Sequence, residues 1–459
     1  MCWNAKYALL ILISTIITYI SGLLIERIKT SDKSESEKIR FMKLIVAGSF
    51  VSNLGILFYY KYINFTIDII AKLLEKVHIQ LTTPVFDIVL PVGISFYTFQ
   101  ALSYTMDVYR DEIYAEKNFF KYALFVSFFP QLVAGPIERS KNLLKQLSVP
   151  SKFNFEKARD GFLLMIWGYF LKVVLADRIA VFVDTVYGDF HTYNGWFIVV
   201  ATVLFAVQIY CDFSGYSTIA MGAAEILGIA LMENFDAPYL STSVADFWRK
   251  WHISLTSWFK DYLYIPLGGS RRGKIRKYVN KMIVFLVSGL WHGANLSFVI
   301  WGGLNGIYQV VGELLQPVRN RVVTFLHLNR DSIGHKALKG LVTFILVDFA
   351  WIFFRANGYH ESIEIVKAML SVNNCWVLMD GSLYNCGLDS KNFGLMIIAI
   401  IVLLVADIFK SRRIKIRQVI SMQDYWCRWL VMIFSICFIL IFGIWGSGYD
   451  AAGFIYFQF

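Results

Sequence analysis

Runs of 15 to 31 residues with no Asp, Glu, Lys or Arg recur along the whole chain, and no other feature restricts its fold as tightly. They cover residues 7–25, 44–60, 88–106, 190–211, 282–312, 392–406 and 429–449. About 20 such residues in helical form cross the hydrocarbon core of a bilayer. Inside that core every backbone N–H and C=O must be satisfied within the segment, which selects helices for apolar runs of this length. The chain is 57% hydrophobic and only 17% charged, where a soluble protein carries about 25% charged residues. The expectation is an all-α polytopic membrane protein with about 10–12 transmembrane helices. It reads as one membrane-embedded domain over residues 1–459. The run at 7–25 lacks a small-residue cleavage site and reads as a retained helix.

The net charge of +11 does not point to nucleic acid, because of where the charge lies. Basic residues gather in short loops between apolar runs, around residues 27–43, 249–277, 319–339 and 410–417. By the positive-inside rule these loops face the cytoplasm. One span precedes the first basic loop and one follows the last, so both termini are expected outside a bacterial cytoplasmic membrane. Among six cysteines none has metal-ligand spacing. Cys2, Cys211, Cys427 and Cys437 read as small inert hydrophobes. Cys375 and Cys386 share an outer loop in which a disulfide is permitted.

Pro91, Gly93, Pro130, Gly135, Pro136, Gly289, Gly293, Gly302 and Gly303 interrupt apolar runs. Such breaks survive at membrane depth only where protein or a cavity supplies hydrogen-bond partners. Broken or re-entrant helices around a central cavity are therefore expected. The run 282–312 is too long for one crossing and too short for two, and both its flanks are basic. It suits two short helices meeting partway through the membrane, with Gly302 and Gly303 as one possible bend. The alternative is a flank that is not cytoplasmic.

His292 lies inside that run. An ionisable side chain at such a position is costly and is a functional-site candidate by default. Burial disfavours the charged imidazole, so a buried His292 is a neutral proton acceptor suited to general-base work. A second histidine, His252, stands in a block of aromatics and charges, DFWRKWHISLTSWFKDYLYIPLGG, residues 246–269. Helical spacing puts Trp248, Trp251 and Leu255 on one face. The bland reading of this block is an interfacial amphipathic helix with a packed histidine. Arg249, Lys250, Arg271 and Arg272 suit an anionic donor bearing phosphates, and Asp261 is a candidate partner for His252. Asp212 sits at the end of an apolar run, where lining a site and structural hydrogen bonding are even readings. Asp348 and Arg355 share a helix face and read as a structural ion pair. No phosphate-binding glycine loop, nucleophile elbow or metal-ligand pattern is present.

Several stretches resemble the membrane-bound O-acyltransferase superfamily, and more closely the integral membrane subunit of bacterial alginate and peptidoglycan O-acetyltransferases. They are PVGISFYTFQALSY (91–104), PQLVAGPIER (130–139), DFSGYS (212–217), the block from Asn234 to Gly269, LWHGA (290–294) and FIYFQF (454–459). The core of the resemblance runs from about residue 90 to 310. It implies that His292 is catalytic and that His252 is a second functional position. It implies acetyl-CoA as the acyl donor with no bound cofactor and no metal. It also implies a polysaccharide acceptor and an SGNH-type extracytoplasmic partner. Lys250 and Lys260 stand where the pattern often has Arg, and Thr218 where many members have Asp. The 450–459 tail resembles the end of the small partner peptide in teichoic acid D-alanylation, which makes Tyr456 a candidate acyl carrier; an aromatic membrane anchor is the alternative. A secondary transporter or flippase with a proton-relay histidine is the competing function.

Overall fold

The computed structural model describes residues 5–79, 86–88, 90–132 and 135–445. Tyr456 and the 450–459 tail lie outside the described residues, as do Val133 and Ala134 of the PQLVAGPIER motif. Among the described residues every regular element is helical. The helices are α1 (Ala5–Lys29), α2 (Glu35–Lys61), α3 (Ile63–Glu75), α4 (Ile94–Tyr109), α5 (Phe119–Ser127), α6 (Phe129–Leu132), α7 (Ser140–Leu147), α8 (Phe155–Tyr169), α9 (Asp177–Gly188) and α10 (Trp196–Ile226). They continue with α11 (Val244–Lys250), α12 (Ile253–Phe259), α13 (Lys274–His292), α14 (Leu296–Leu314), α15 (Gln316–Phe325), α16 (Ile333–Arg355), α17 (Tyr359–Ser371), α18 (Ser390–Ser411), α19 (Ile416–Ser421) and α20 (Tyr425–Phe442).

Six helices among the described residues are long and apolar enough to cross a membrane: α1 from Tyr7, α2, α10, α16, α18 and α20. The chain is thus an all-α polytopic membrane protein. Only 6% of the α20 window is buried within the protein. Such a bare apolar helix needs lipid around it. Six membrane-length helices among the described residues stand where about 10–12 were expected, because the runs at 88–106 and 282–312 are cut into shorter helices.

The chain divides into two compact units, Met1–Ala158 with Ala223–Met232, and Arg159–Gly222 with Glu233–Phe459. In the first, α1, α2 and α4 pack along a polar seam. Ser14 Oγ donates to Asn53 Oδ1 (2.5 Å), Tyr122 Oη donates to Thr18 Oγ1 (2.7 Å), and Ser49 meets Thr105 (3.3 Å). Small polar side chains hold helices together where lipid tails remove the hydrophobic drive for association. Glu138 of the PIER motif is buried and accepts hydrogen bonds from the Met232 N–H and the Asn142 amide, which ties its loop to the returning segment.

In the second unit, α8 and α10 touch backbone to backbone. A Cβ on Gly168 would stand 2.7 Å from the Gly215 carbonyl oxygen, and one on Gly222 would stand 2.4 Å from that of Gly161. Between α8 and α9 the chain takes a π-helical stretch, Phe170–Ala176. Such insertions are frequent at functional sites.

The run 282–312 forms the second unit's helical hairpin, α13 and α14. Two short helices do meet, but the bend is at Gly293, Ala294 and Asn295, where Asn295 caps α14 by accepting the Ser297 N–H (3.1 Å). Gly302 and Gly303 are not a bend. A Cβ on Gly302 would lie 2.2 Å from the Phe285 carbonyl oxygen, and one on Gly289 would lie 2.2 Å from that of Phe298. These glycines let the two backbones approach. At the open end Lys277 and Lys281 (2.7 Å) both pair with Glu313, so the basic end of α13 and the end of α14 are on one side.

The WRKWHIS block is not one amphipathic helix. It is two seven-residue helices, α11 and α12, broken at Trp251 and His252. Trp248, Trp251 and Leu255 are all buried against protein, not spread at an interface. Arg355 does not pair with Asp348. Seven residues along a helix is about 10 Å, so the two share a face without touching. Arg355 instead reaches Asp184 (2.6 Å). Cys375 and Cys386 are both free thiols, the first exposed and the second buried.

Candidate active site

His292 is the last residue of α13, at the closed end of the hairpin, and is 4% exposed. Eleven residues separate it from Lys281, about 16 Å of helix rise. That is roughly half of a 30 Å core. The imidazole packs edge-to-face with Trp301 of α14 (5.0 Å between ring centres) and with Phe354 of α16 (5.4 Å). Its neighbour Trp291 stands against it at 5.0 Å. Phe354 is one residue from the end of α16, so His292 lies beside the terminus of a membrane-length helix.

His252 is fully buried and reaches the same aromatic cluster. Its ring is 6.2 Å from that of Trp291, the side chain that also touches His292. On another side it meets Phe213 of the DFSGYS motif at 4.6 Å. The two histidines from separate motifs are therefore joined through one indole. His252 adopts a left-handed backbone, φ +43° and ψ 55°. For a non-glycine residue this costs of order 1–3 kcal/mol and persists only when surroundings impose it. Those surroundings are the segment from Asn234 to Asp236. Ile253 N–H donates to the Asn234 carbonyl (2.9 Å), and Asp236 N–H donates to the Lys250 carbonyl (3.0 Å). Burial pushes the His252 imidazole down to about 3, which keeps it neutral.

Asn234 holds the side chains as well. Its Oδ1 accepts from Ser254 N–H (3.2 Å) and Ser254 Oγ (2.7 Å) and lies 3.3 Å from His252 Nδ1. Sequence reading placed Asn234 at the start of the central block but gave it no role. Nothing in linear spacing joins position 234 to 252; the strand-like pairing of 234–236 with 250–253 does.

Asp261 is half-exposed on a second π-helical stretch, Lys260–Tyr264, and the contacts of His252 include Asn234, Ser254, Phe213 and Trp291. Arg249 is exposed and folds back onto the Ala245 carbonyl (3.3 Å), while Lys250 pairs with Asp246 (3.1 Å). Arg271 and Arg272 are exposed in the loop before α13. Asn280 anchors that loop by donating to the Gly269 carbonyl (2.9 Å). From Lys274 to His292 α13 rises about 27 Å. A donor with its phosphates on Arg271 and Arg272 would have to extend along the helix to reach the histidine.

Asp212 is buried and bonded to Lys172 (2.6 Å), which also holds Asp177 (2.9 Å). This pair ties α10, and hence Phe213 beside His252, to the π-helical stretch. Lys172 was missed although the sequence carries a signal, a lone lysine in the otherwise uncharged stretch 161–176. Lys172→Met should lower stability by about 3–5 kcal/mol, because it removes the cation shared by the buried Asp212 and the half-buried Asp177. Thermal unfolding in detergent reads this, with Asp212→Asn showing a smaller loss.

The described residues thus form a helical membrane protein in which two buried histidines are joined through an aromatic cluster. The chain belongs to the membrane-bound O-acyltransferase family, whose profile matches residues 1–347. It is 34% identical over 403 residues to the probable alginate O-acetylase AlgI of Pseudomonas aeruginosa, across 87% of this chain and 72% of that one. It is 36% identical over 330 residues to the probable alginate O-acetylase AlgI of Pseudomonas putida, across 72% of this chain and 64% of that one. The peptidoglycan O-acetyltransferase of Helicobacter pylori is 31% identical over 397 residues, 81% of this chain and 71% of that protein. The protein is an O-acyltransferase.

Proposed function

We propose that this enzyme moves acetyl groups from cytoplasmic acetyl-CoA across the bacterial inner membrane for O-acetylation of a cell-envelope polysaccharide, an alginate-like exopolysaccharide or peptidoglycan. The names of its relatives support the acceptor class. The observation that carries the reading is the position of His292, half a bilayer from the basic end of α13 and one ring from the end of α16. A base there is within reach of a donor from one side and a hydroxyl from the other.

The chemistry is acyl transfer from a thioester to a hydroxyl. The hydroxyl oxygen attacks the thioester carbonyl as His292 takes its proton. The carbon–sulfur bond breaks, and the proton passes from His292 to the departing thiolate. Arg271 and Arg272 would bind the donor phosphates. His252, held by Asn234, stands one indole away. An SGNH-type partner would receive the acetyl group outside, with both termini of this chain on that side. Tyr456 would carry it in transit.

The test uses inside-out membrane vesicles supplied with labelled acetyl-CoA. Label should leave CoA and appear on glycan or partner in the vesicle lumen. Peptide mass spectrometry of the same reaction should find about +42 Da, the mass of an acetyl group, on Tyr456. Label that stays on CoA would reject acetyl transfer. A missing adduct with full activity in Tyr456→Phe would reject the carrier role alone.

A further inference from the structure

We propose that Asn234 is a positioning residue that locks His252 in the tautomer protonated at Nδ1, so that Nε2 is the proton-accepting nitrogen of His252. This rests on the reading of His252 as part of the acyltransferase site. The argument begins with the amide. Oxygen and nitrogen of an asparagine side chain are normally told apart only by their partners. Here the partner is decisive, since Ser254 N–H, a backbone donor, points at Oδ1 (3.2 Å). That atom must be an acceptor. The Ser254 hydroxyl also gives its proton to it, at 2.7 Å.

His252 Nδ1 lies 3.3 Å from the same oxygen. Two acceptors do not hydrogen-bond, so Nδ1 carries the hydrogen. The Ser254 hydroxyl does not reverse this, because its one proton is committed to Asn234 at 2.7 Å and it stands 3.5 Å from Nδ1. A neutral imidazole has one N–H. With that hydrogen on Nδ1, Nε2 presents a lone pair.

The consequence is chemical. Whatever His252 meets through Nε2 must offer an O–H, N–H or S–H: an attacking hydroxyl, or an amide of the donor's arm. His252 cannot polarise the thioester carbonyl or bind a phosphate oxygen, since both need a donor there. Donor binding through an oxygen atom is thereby removed for His252, and proton acceptance is retained.

The other titratable groups on the elements around His252 are few. On α10 Asp212 is held by Lys172. On α13 His292 lies beyond Trp291. On the flanking segments Asp236 pairs with Arg413 (3.4 Å) and Asp246 with Lys250. Replacing Asn234 with Asp keeps the shape and puts a carboxylate against Nδ1–H. That favours the imidazolium, raising the folded-state value above the native one of about 3. Nε2 is then lost as an acceptor as pH falls through the raised value, so the acid limb of activity moves to higher pH.

The experiment is solid-state NMR of the full chain in proteoliposomes with 15N-labelled histidine. The seven histidines are resolved by difference against His252→Gln. The expected His252 signals are a protonated Nδ1 and an unprotonated Nε2, unchanged between about pH 5 and 8. In Asn234→Asp the ring should titrate within that range, with the acid limb of acetyl transfer moving with it. An unprotonated Nδ1 in the native protein overturns the proposal, as does an Asn234→Asp spectrum and pH profile that do not move. If Asn234→Asp fails to fold, the native spectrum alone decides. Retained activity in His252→Gln would remove His252 from the reaction and leave the tautomer lock standing.

Discussion

His292→Ala should reduce acetyl transfer by about 10²–10⁴-fold, the contribution of a positioned general base. The loss follows from location. The imidazole is 4% exposed inside a ring of Trp291, Trp301 and Phe354, where bulk water is a poor substitute for it. Alanine also empties space in that ring, and cavities cost stability. His292→Phe separates the two effects: it refills the space and removes the base. Both variants should lose turnover in membranes supplied with acetyl-CoA, while His292→Phe keeps a thermal transition close to native. Native turnover in His292→Phe would remove the base from the mechanism.

Gly302→Ala should destabilise the protein by about 3 kcal/mol or more, at or beyond the upper end of overpacking costs. The added methyl meets the Phe285 carbonyl oxygen at 2.2 Å, and a backbone atom cannot rotate aside as a side chain can. The hairpin must open, which moves His292 away from Phe354 and Trp291 away from His252, so turnover falls as well. The neighbouring Gly303→Ala is the matched control. Its nearest atom is Leu286 Cδ2 at 3.7 Å, an ordinary contact. Helix propensity favours alanine over glycine by about 1 kcal/mol, so this variant should be neutral or slightly stabilised. Fluorescence-detected size-exclusion after heating gives both transitions. Equal behaviour of the two variants would show that the close approach at Gly302 does not hold the hairpin.

The limits of the sequence are seen in particular residues. Helical class and membrane residence follow from local composition, since an apolar run leaves the backbone one way to satisfy its hydrogen bonds in lipid. His292 was legible for the same reason: one histidine in 31 residues with no Asp, Glu, Lys or Arg. Lys172 carried the same kind of signal over a shorter stretch. The division of 282–312 into two helices was legible from length and basic flanks.

The place of the bend was not, because several glycines could have served. Tertiary contact decided it, giving Gly289 and Gly302 to the packing of α13 on α14 and leaving the turn to Gly293 and Asn295. Nor did spacing join Asn234 to His252, or Arg355 to Asp184; those pairs depend on how distant segments cross. The chain alone determined a helical membrane protein with a costly buried histidine, since burial of charge is a local penalty written in composition. Only the tertiary structure decided which indole joins the two histidines, which amide sets the proton of one, and how far the other stands from each end of its helices, because those are distances between elements that the sequence orders but does not bring together.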